Sequence, residues 1–226
     1  VDPFTPTHSP PSPRPFEDDP DYQRYGGNLD EYIRMYNAMC TQIDANVGRL
    51  MDTLDRLGIA EETMVVFTSD HGDMQGSHGL KNKCLPHEES AGIPLVVRVP
   101  GTPGGRTTDA LVSGIDLMPT CLDLAGIPAV AGVDGESFAS SLRGESDKAC
   151  EAVFAERPEQ WCMIVTDGWK LAAERQDAGL APTLMTHLDG DPYELNNRVE
   201  DAAVDGLRKA MLARLTAWDE GVRRRP

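Results

Sequence analysis

Residues 69–83, SDHGDMQGSHGLKNK, follow directly on the apolar run Met64-Val65-Val66-Phe67-Thr68, and together they decide how the chain is read. The run is short, rich in strand-forming residues and without alternation, which reads as a strand buried on both faces, as in a parallel sheet. A second run, Ile93-Pro94-Leu95-Val96-Val97-Arg98-Val99, ends at Pro100-Gly101, with Pro94 near its start where a missing N–H does least harm. Roughly twenty residues without clear periodicity separate the two, and a loop that long in a compact domain is usually functional or disordered. It leaves the carboxyl end of a strand, where open α/β sheets place their ligands.

The loop is dense in chemistry. Asp70 and His71 set a carboxylate beside an imidazole at a strand end, a fair half-site for a divalent cation. Two adjacent ligands cannot fill a coordination sphere, so further ligands have to come from elsewhere. The competing reading has Asp70 capping a turn and His71 as a plain polar residue, and spacing does not separate the two. Asp73 is a third candidate ligand, but Gly72-Asp73 suits a tight turn better. Lys83 is a poor ligand and a good clamp for an anionic oxygen, phosphate-like or sulfate-like. His78 is suited to a substrate contact or to a hydrogen bond within the loop. Lys81 and Lys83 also admit the commoner fate of solvated surface lysines.

Working outward, Ile33, Tyr36, Cys40, Ile43, Val47, Leu50, Leu54 and Leu57 recur at three-to-four spacing, predicting a helix from Leu29 to about Leu57 with Gly58 as its stop. Asp116–Leu124 predicts a short helix with Pro119 in its first turn and Gly126 at its end. From Glu151 onward, Ala152–Ala155, Trp161–Val165 and Trp169–Ala172 read as short strands of an antiparallel sheet, and 201–221 as a helix with Leu207, Met211, Leu215 and Trp218 on one face. Residues 1–28, rich in Pro, Asp and Gly, read as irregular.

Composition narrows the function classes. The 226 residues carry a formal net charge of −16, which argues against nucleic acid or an anionic membrane surface as partner. No apolar run approaches the roughly 18 residues of a membrane span. The N-terminal VDPFTPTHSPPSPRP is neither basic nor apolar, unlike a signal peptide, and the missing initiator Met predicts further residues upstream. The sequence assigns no compartment. Cys40, Cys84, Cys121, Cys150 and Cys162 are scattered without a CxxC, as expected of reduced thiols and not of a disulfide framework or zinc site.

The stretch VVFTSDHGDMQGSHGLKNKCLPHEESAGIPLVVRVPG resembles the sulfatase family of the alkaline-phosphatase superfamily, whose pattern here is approximately S-D-[HN]-G-[DE]-x-x-G-x-H-G-x-x-x-K, an E-[ES] pair and a strand ending P-G. Ser69-Asp70-His71-Gly72-Asp73, Gly76, His78-Gly79, Lys83, Glu88-Glu89-Ser90, Pro94 and Pro100-Gly101 supply it. The likeness extends to Ile43–Leu50, Asp116–Thr120, Asp123–Ile127, Asp134–Ser137, Asp167–Leu171 and Gly190–Asn197, and so to almost the whole chain. It implies an α/β fold. Residues 1–147 would be the C-terminal part of the main domain, a partial alkaline-phosphatase-like mixed sheet flanked by helices, and 148–226 a small antiparallel-sheet subdomain with a terminal helix. It also implies that Asp70 and His71 are metal ligands, usually for calcium (or another divalent cation), and that Lys83 binds the sulfate oxygens and assists the leaving group. His8, in Thr7-His8-Ser9-Pro10, resembles a family His-x-Pro histidine that touches the sulfate or the leaving oxygen.

Departures fall at Ser77, Lys81 and His87, where the family commonly has an acidic residue, Trp and an aromatic. The larger departure concerns the nucleophile. The family oxidises a Cys or Ser in a Cys/Ser-x-Pro/Ala-x-Arg segment to formylglycine and uses an early Asp-Asp metal pair; no cysteine here has that context. The expectation is the C-terminal half of a sulfatase acting on a small-molecule or saccharide sulfate ester, with metal incompletely coordinated and formylglycine in a missing N-terminal half. The chain alone would be inactive, and a homo-oligomer is possible. Two alternatives stay open: a phosphonate monoester hydrolase or phosphodiesterase of the same superfamily, and a non-catalytic anion-binding or interaction remnant.

Overall fold

A computed structural model describes residues 29–80, 82–102, 104–146 and 150–223. The chain divides into two compact units, Val1–Lys83 with Gly92–Gly101 and Cys84–Ala91 with Thr102–Pro226.

In the first unit the apolar periodicity gives helix α1, Leu29–Leu57. Asp30 and Glu31 in its first turn and Arg56 in its last complement the helix dipole. Gly58 stops it at φ +70°, donating to Asp55 O at 3.0 Å while Ile59 N donates to Leu54 O at 3.1 Å. That pair of bonds is a Schellman cap, and the left-handed residue it requires favours glycine. Strand β1, Val65–Thr68, pairs antiparallel with β2, Leu95–Arg98. Arg98 fastens β2 to the turn before β1 through Ala60 O at 2.6 Å and Glu61 at 2.8 Å.

Two expectations change here. Among the described residues β1 pairs only with β2, and the pairing is antiparallel, not parallel. The strand is also only half-buried, with Phe67 38% exposed. An apolar run records that a strand sits in a sheet, but it fixes neither the neighbour nor the direction. None of the described residues of α1 is buried, so its apolar stripe meets no core.

The second unit carries helix α2, Glu88–Ala91, then α3, Leu117–Leu124, and α4, Ala139–Arg143. A four-stranded antiparallel sheet follows, β3 Val153–Arg157, β4 Trp161–Thr166, β5 Trp169–Gln176 and β6 Gly179–His187, in sequential order, and helix α5, Asp205–Arg223, ends it. Cys162, Ile164, Leu171, Ala173 and Met185 on one face of the sheet pack against Met211 and Leu215 of α5. On the other face Met163, Ala172 and Leu184 pack with Trp161 and Ala91. Strand β6 was not legible because Pro182 interrupts it. Pro182 is tolerated there because β6 is an edge strand, and the register shifts beside it, between Ala172 and Ala173. The α/β architecture with an antiparallel C-terminal sheet and terminal helix is the expected fold class. No helix of the described residues is long and apolar enough to cross a membrane.

Candidate functional site

The candidate site lies in the first unit, beyond the end of β1. Asp70 and His71 leave the strand side by side. Asp70 Oδ1 accepts from His71 N at 3.1 Å, and His71 Nε2 stands 3.5 Å from Asp70 Oδ2. His71 Nδ1 is 2.8 Å from Gly72 O. A carbonyl only accepts, so Nδ1 carries a proton, which leaves Nε2 as the ring atom available to a metal. The Asp70 carboxylate is 86% exposed.

This pair fits one cation. Two donors bonded to a common ion at about 2.0–2.5 Å and roughly a right angle stand about 3–3.5 Å apart. Two donors do not complete a site, and no group of three or more His, Cys, Asp or Glu is poised for a metal among the described residues.

The rest of the loop is held in an unusual conformation. Gln75, His78, Asn82 and Cys84 all have positive φ, between +46° and +73°, and Gly76 and Gly79 lie at +93° and +68°. Such conformations cost roughly 1 kcal/mol or more for each non-glycine residue and persist only where surroundings over-determine them. The surroundings here are Met74 N to Asn82 O at 2.7 Å, Gly76 N to Leu80 O at 2.8 Å and a fully buried Met74. Gly76 also leaves room for Leu29, whose Cδ2 would stand 2.9 Å from any added Cβ.

Asp73 is committed to this turn. Its Oδ1 accepts from Gln75 N at 2.9 Å, and Tyr32 Oη donates to its carboxylate at 3.3 Å. Its charge helps push the nearby Tyr36 phenol above its ordinary value, behind the larger effect of burial and that of Cys40.

The structure therefore brings Asp70 and His71 together, puts His78 in the tight turn Ser77–Gly79, and leaves Lys83 exposed at the far end of the same loop. His8 and Lys81 lie outside the described residues.

Sequence reasoning passed over one cluster. Lys170 is fully buried in β5 with its Nζ 2.6 Å from Glu88 Oε1 and 3.0 Å from Glu194 Oε1. The signal was present, since Glu88, Lys170 and Glu194 all lie in stretches that carry the family likeness, but a lysine within a strand ordinarily reads as solvent-facing.

The family model described as Sulfatase matches residues 4–127, and the model described as N-sulphoglucosamine sulphohydrolase, C-terminal, matches residues 76–221. Arylsulfatase K of Bos taurus is 33% identical over 176 residues, covering 72% of this chain and 32% of that protein. A solved structure of a protein in complex with its substrate D-glucosamine-2-N,6-O-disulfate superposes with TM-score 0.76 at 29% identity, over 85% of this chain and 41% of that one. The phosphonate monoester hydrolase of Agrobacterium radiobacter superposes with TM-score 0.71 at 28% identity, over 84% and 42%. The chain thus spans about a third of the length of its curated relatives. With two family models each matching more than half of its residues, the chain belongs to the sulfatase family.

Proposed function

We propose that this chain is the C-terminal part of a sulfate-ester hydrolase and that residues 69–83 are its share of the active site. The observation that carries the reading is the Asp70–His71 pair, side by side beyond a strand end, with Lys83 following in the same over-determined loop.

Asp70 Oδ2 and His71 Nε2 are the atoms that would hold a divalent cation. Calcium is what the resemblance implies, and the imidazole donor equally suits a transition cation such as manganese or zinc. When bound, the cation supplies positive charge that polarises the sulfate oxygens. The hydrogen bond from Nδ1 to Gly72 O keeps the His71 ring oriented, with its lone pair at the ligand position. The Lys83 ammonium donates to a sulfate oxygen and steadies the charge that develops there as the ester bond breaks. His78 and His8 are assigned to the substrate side. The formylglycine nucleophile and the remaining metal ligands belong to a part of the fold outside this chain, so the chain alone is inactive.

That missing half is also the proposed partner of α1, whose apolar residues Met39, Ile43, Leu50 and Leu57 are each at least 50% exposed. The disulfated glucosamine in the solved relative supports a saccharide sulfate as the substrate class. A second reading, phosphonate monoester hydrolysis, is supported by a structural likeness of nearly the same extent.

The test is Lys83→Ala in the active protein that carries this chain. Turnover of an aryl sulfate should fall about 10²–10³-fold with folding preserved. An unchanged rate removes Lys83 from the mechanism, and a phosphonate monoester turned over faster than the sulfate favours the second reading.

A further inference from the structure

Lys170 is the most deeply buried charge in the second unit, and its surroundings are complete. An ammonium has three N–H donors. They meet Pro86 O at 2.9 Å, Glu88 Oε1 at 2.6 Å and Glu194 Oε1 at 3.0 Å. Glu194 Oε2 accepts from the backbone N of Glu88 at 2.6 Å, and Thr186 Oγ1 donates to Glu194 Oε1 at 3.2 Å. Glu194 itself is buried at φ +53°, a conformation that its neighbours have to impose.

Three of these bonds, to Pro86 O, Glu88 Oε1 and Glu88 N, hold one segment. Lys170 and Ala172 share a face of β5, and Ala172 packs in the cluster that includes Ala91. Trp161 Nε1 donates to Cys84 O at 2.9 Å, and Leu85 N donates to Ser90 Oγ at 3.2 Å. Cys84–Ala91 is therefore fastened at Cys84, Pro86, Glu88 and Ala91 to the sheet of its own unit. The segment begins at the residue after Lys83. On the other side of Lys83, the carbonyl of Asn82 is held by Met74 N at 2.7 Å. The residues on either side of Lys83 thus each have a carbonyl that is hydrogen-bonded within its own unit.

Stability alone is a weak reason for such a cluster. Apolar residues of similar volume commonly do as well or better than a buried ion group, whose best-attested use is to impose one geometry. We propose that Lys170 is a positioning residue for the anion clamp. Acting through Glu88, Glu194 and the Pro86 carbonyl, it fixes the backbone that follows Lys83 and so limits where that ammonium can go. The proposal rests on the assignment of Lys83 to the sulfate, and its test separates the two.

The first measurement is amide hydrogen exchange on this chain with Lys170→Met, and with Glu88→Gln, which keeps the Lys170–Glu194 pair and guards against a Lys170→Met variant that does not fold. Amides of Leu85, Glu88, Ser90 and Ala91 should lose about tenfold protection or more while β4 and β5 keep theirs. Loss in step with the sheet, or no loss, overturns the positioning role. The second is the affinity for inorganic sulfate in the same variants, with and without Lys83→Ala. Positioning predicts that the Lys170 change weakens sulfate binding several-fold and adds nothing once Lys83 is gone, whereas a general structural role gives additive losses. If sulfate does not bind and exchange is still lost only in 84–91, the Lys83 assignment fails and the anchoring of its backbone stands.

Discussion

In the second unit, Cys162, Ile164, Leu171, Ala173, Met185 and Leu215 are wholly removed from solvent, whereas in the first a 29-residue amphipathic helix has no buried residue at all. Both regions arise from clear apolar periodicity, so the difference lies in partners. The second unit supplies its own, a sheet face for α5 and a peptide segment for the opposite face. In the first, order comes from local devices: the Schellman cap at Gly58, the Arg98 ties to the turn before β1, and the hydrogen bonds across residues 74–82. A helix of this kind gains most of its stability from the face it packs, which leaves α1 dependent on what covers its stripe.

The comparison breaks most easily at the two stripes. Leu215→Ala should cost about 2–5 kcal/mol, the usual range for emptying a packed leucine site. Ile43→Ala, at a position 50% exposed, should change stability by less than about 0.5 kcal/mol. Denaturant unfolding followed by tryptophan fluorescence and by helical signal measures both. A large cost at Ile43 would mean that the α1 stripe is packed in solution, for instance against a second copy of the chain.

A smaller effect sharpens the contrast at high pH. Burial pushes the Cys162 thiol up to about 11. An unfolded thiol ionises near about 8.5, so between that value and 11 the folded state keeps a proton that the unfolded state has lost. Stability should therefore fall as pH rises through this window, and Cys162→Ala should remove that part of the slope. Urea midpoints at about pH 8, 9, 10 and 11 decide it. Equal slopes in the parent and Cys162→Ala would mean that the thiol is not protected.

These positions also show what a sequence can and cannot reveal. The limits of α1, its Gly58 stop, the place of β1 and β2 and the helix after Asp116 were legible because each depends on local periodicity and terminators. The Asp70–His71 pair and the Asp73 turn were legible because their chemistry is set by neighbours in sequence. What was not legible depends on distant residues. The direction of the β1–β2 pairing, the exposure of Ile43 and Leu50, and Pro182 in an edge strand all follow from which element lies alongside. Lys170 is the sharpest case. Its burial and its partners depend on Pro86, Glu88 and Glu194, the nearest of them 24 residues away, and no pattern within Trp169–Gln176 distinguishes it from a surface lysine.

The smallest expected effect lies at low pH, on the approach to α5. Asp201 is held below its ordinary value chiefly by the hydrogen bond from the Arg198 side chain, with the backbone N of Ala203 adding to it. A depressed carboxylate stabilises the fold above its unfolded value of about 3.9 and loses that contribution as pH falls through its folded value. Asp201→Asn should lower the second unit's stability slightly at neutral pH and converge with the parent below about pH 4, so that the acid limb of its unfolding is flatter. The carboxylate is exposed, so added salt should shrink the difference between parent and variant. An acid limb that is identical in the two proteins at low salt would show that the Arg198 contact is not maintained in solution, and would leave the start of α5 resting on its apolar face against the sheet.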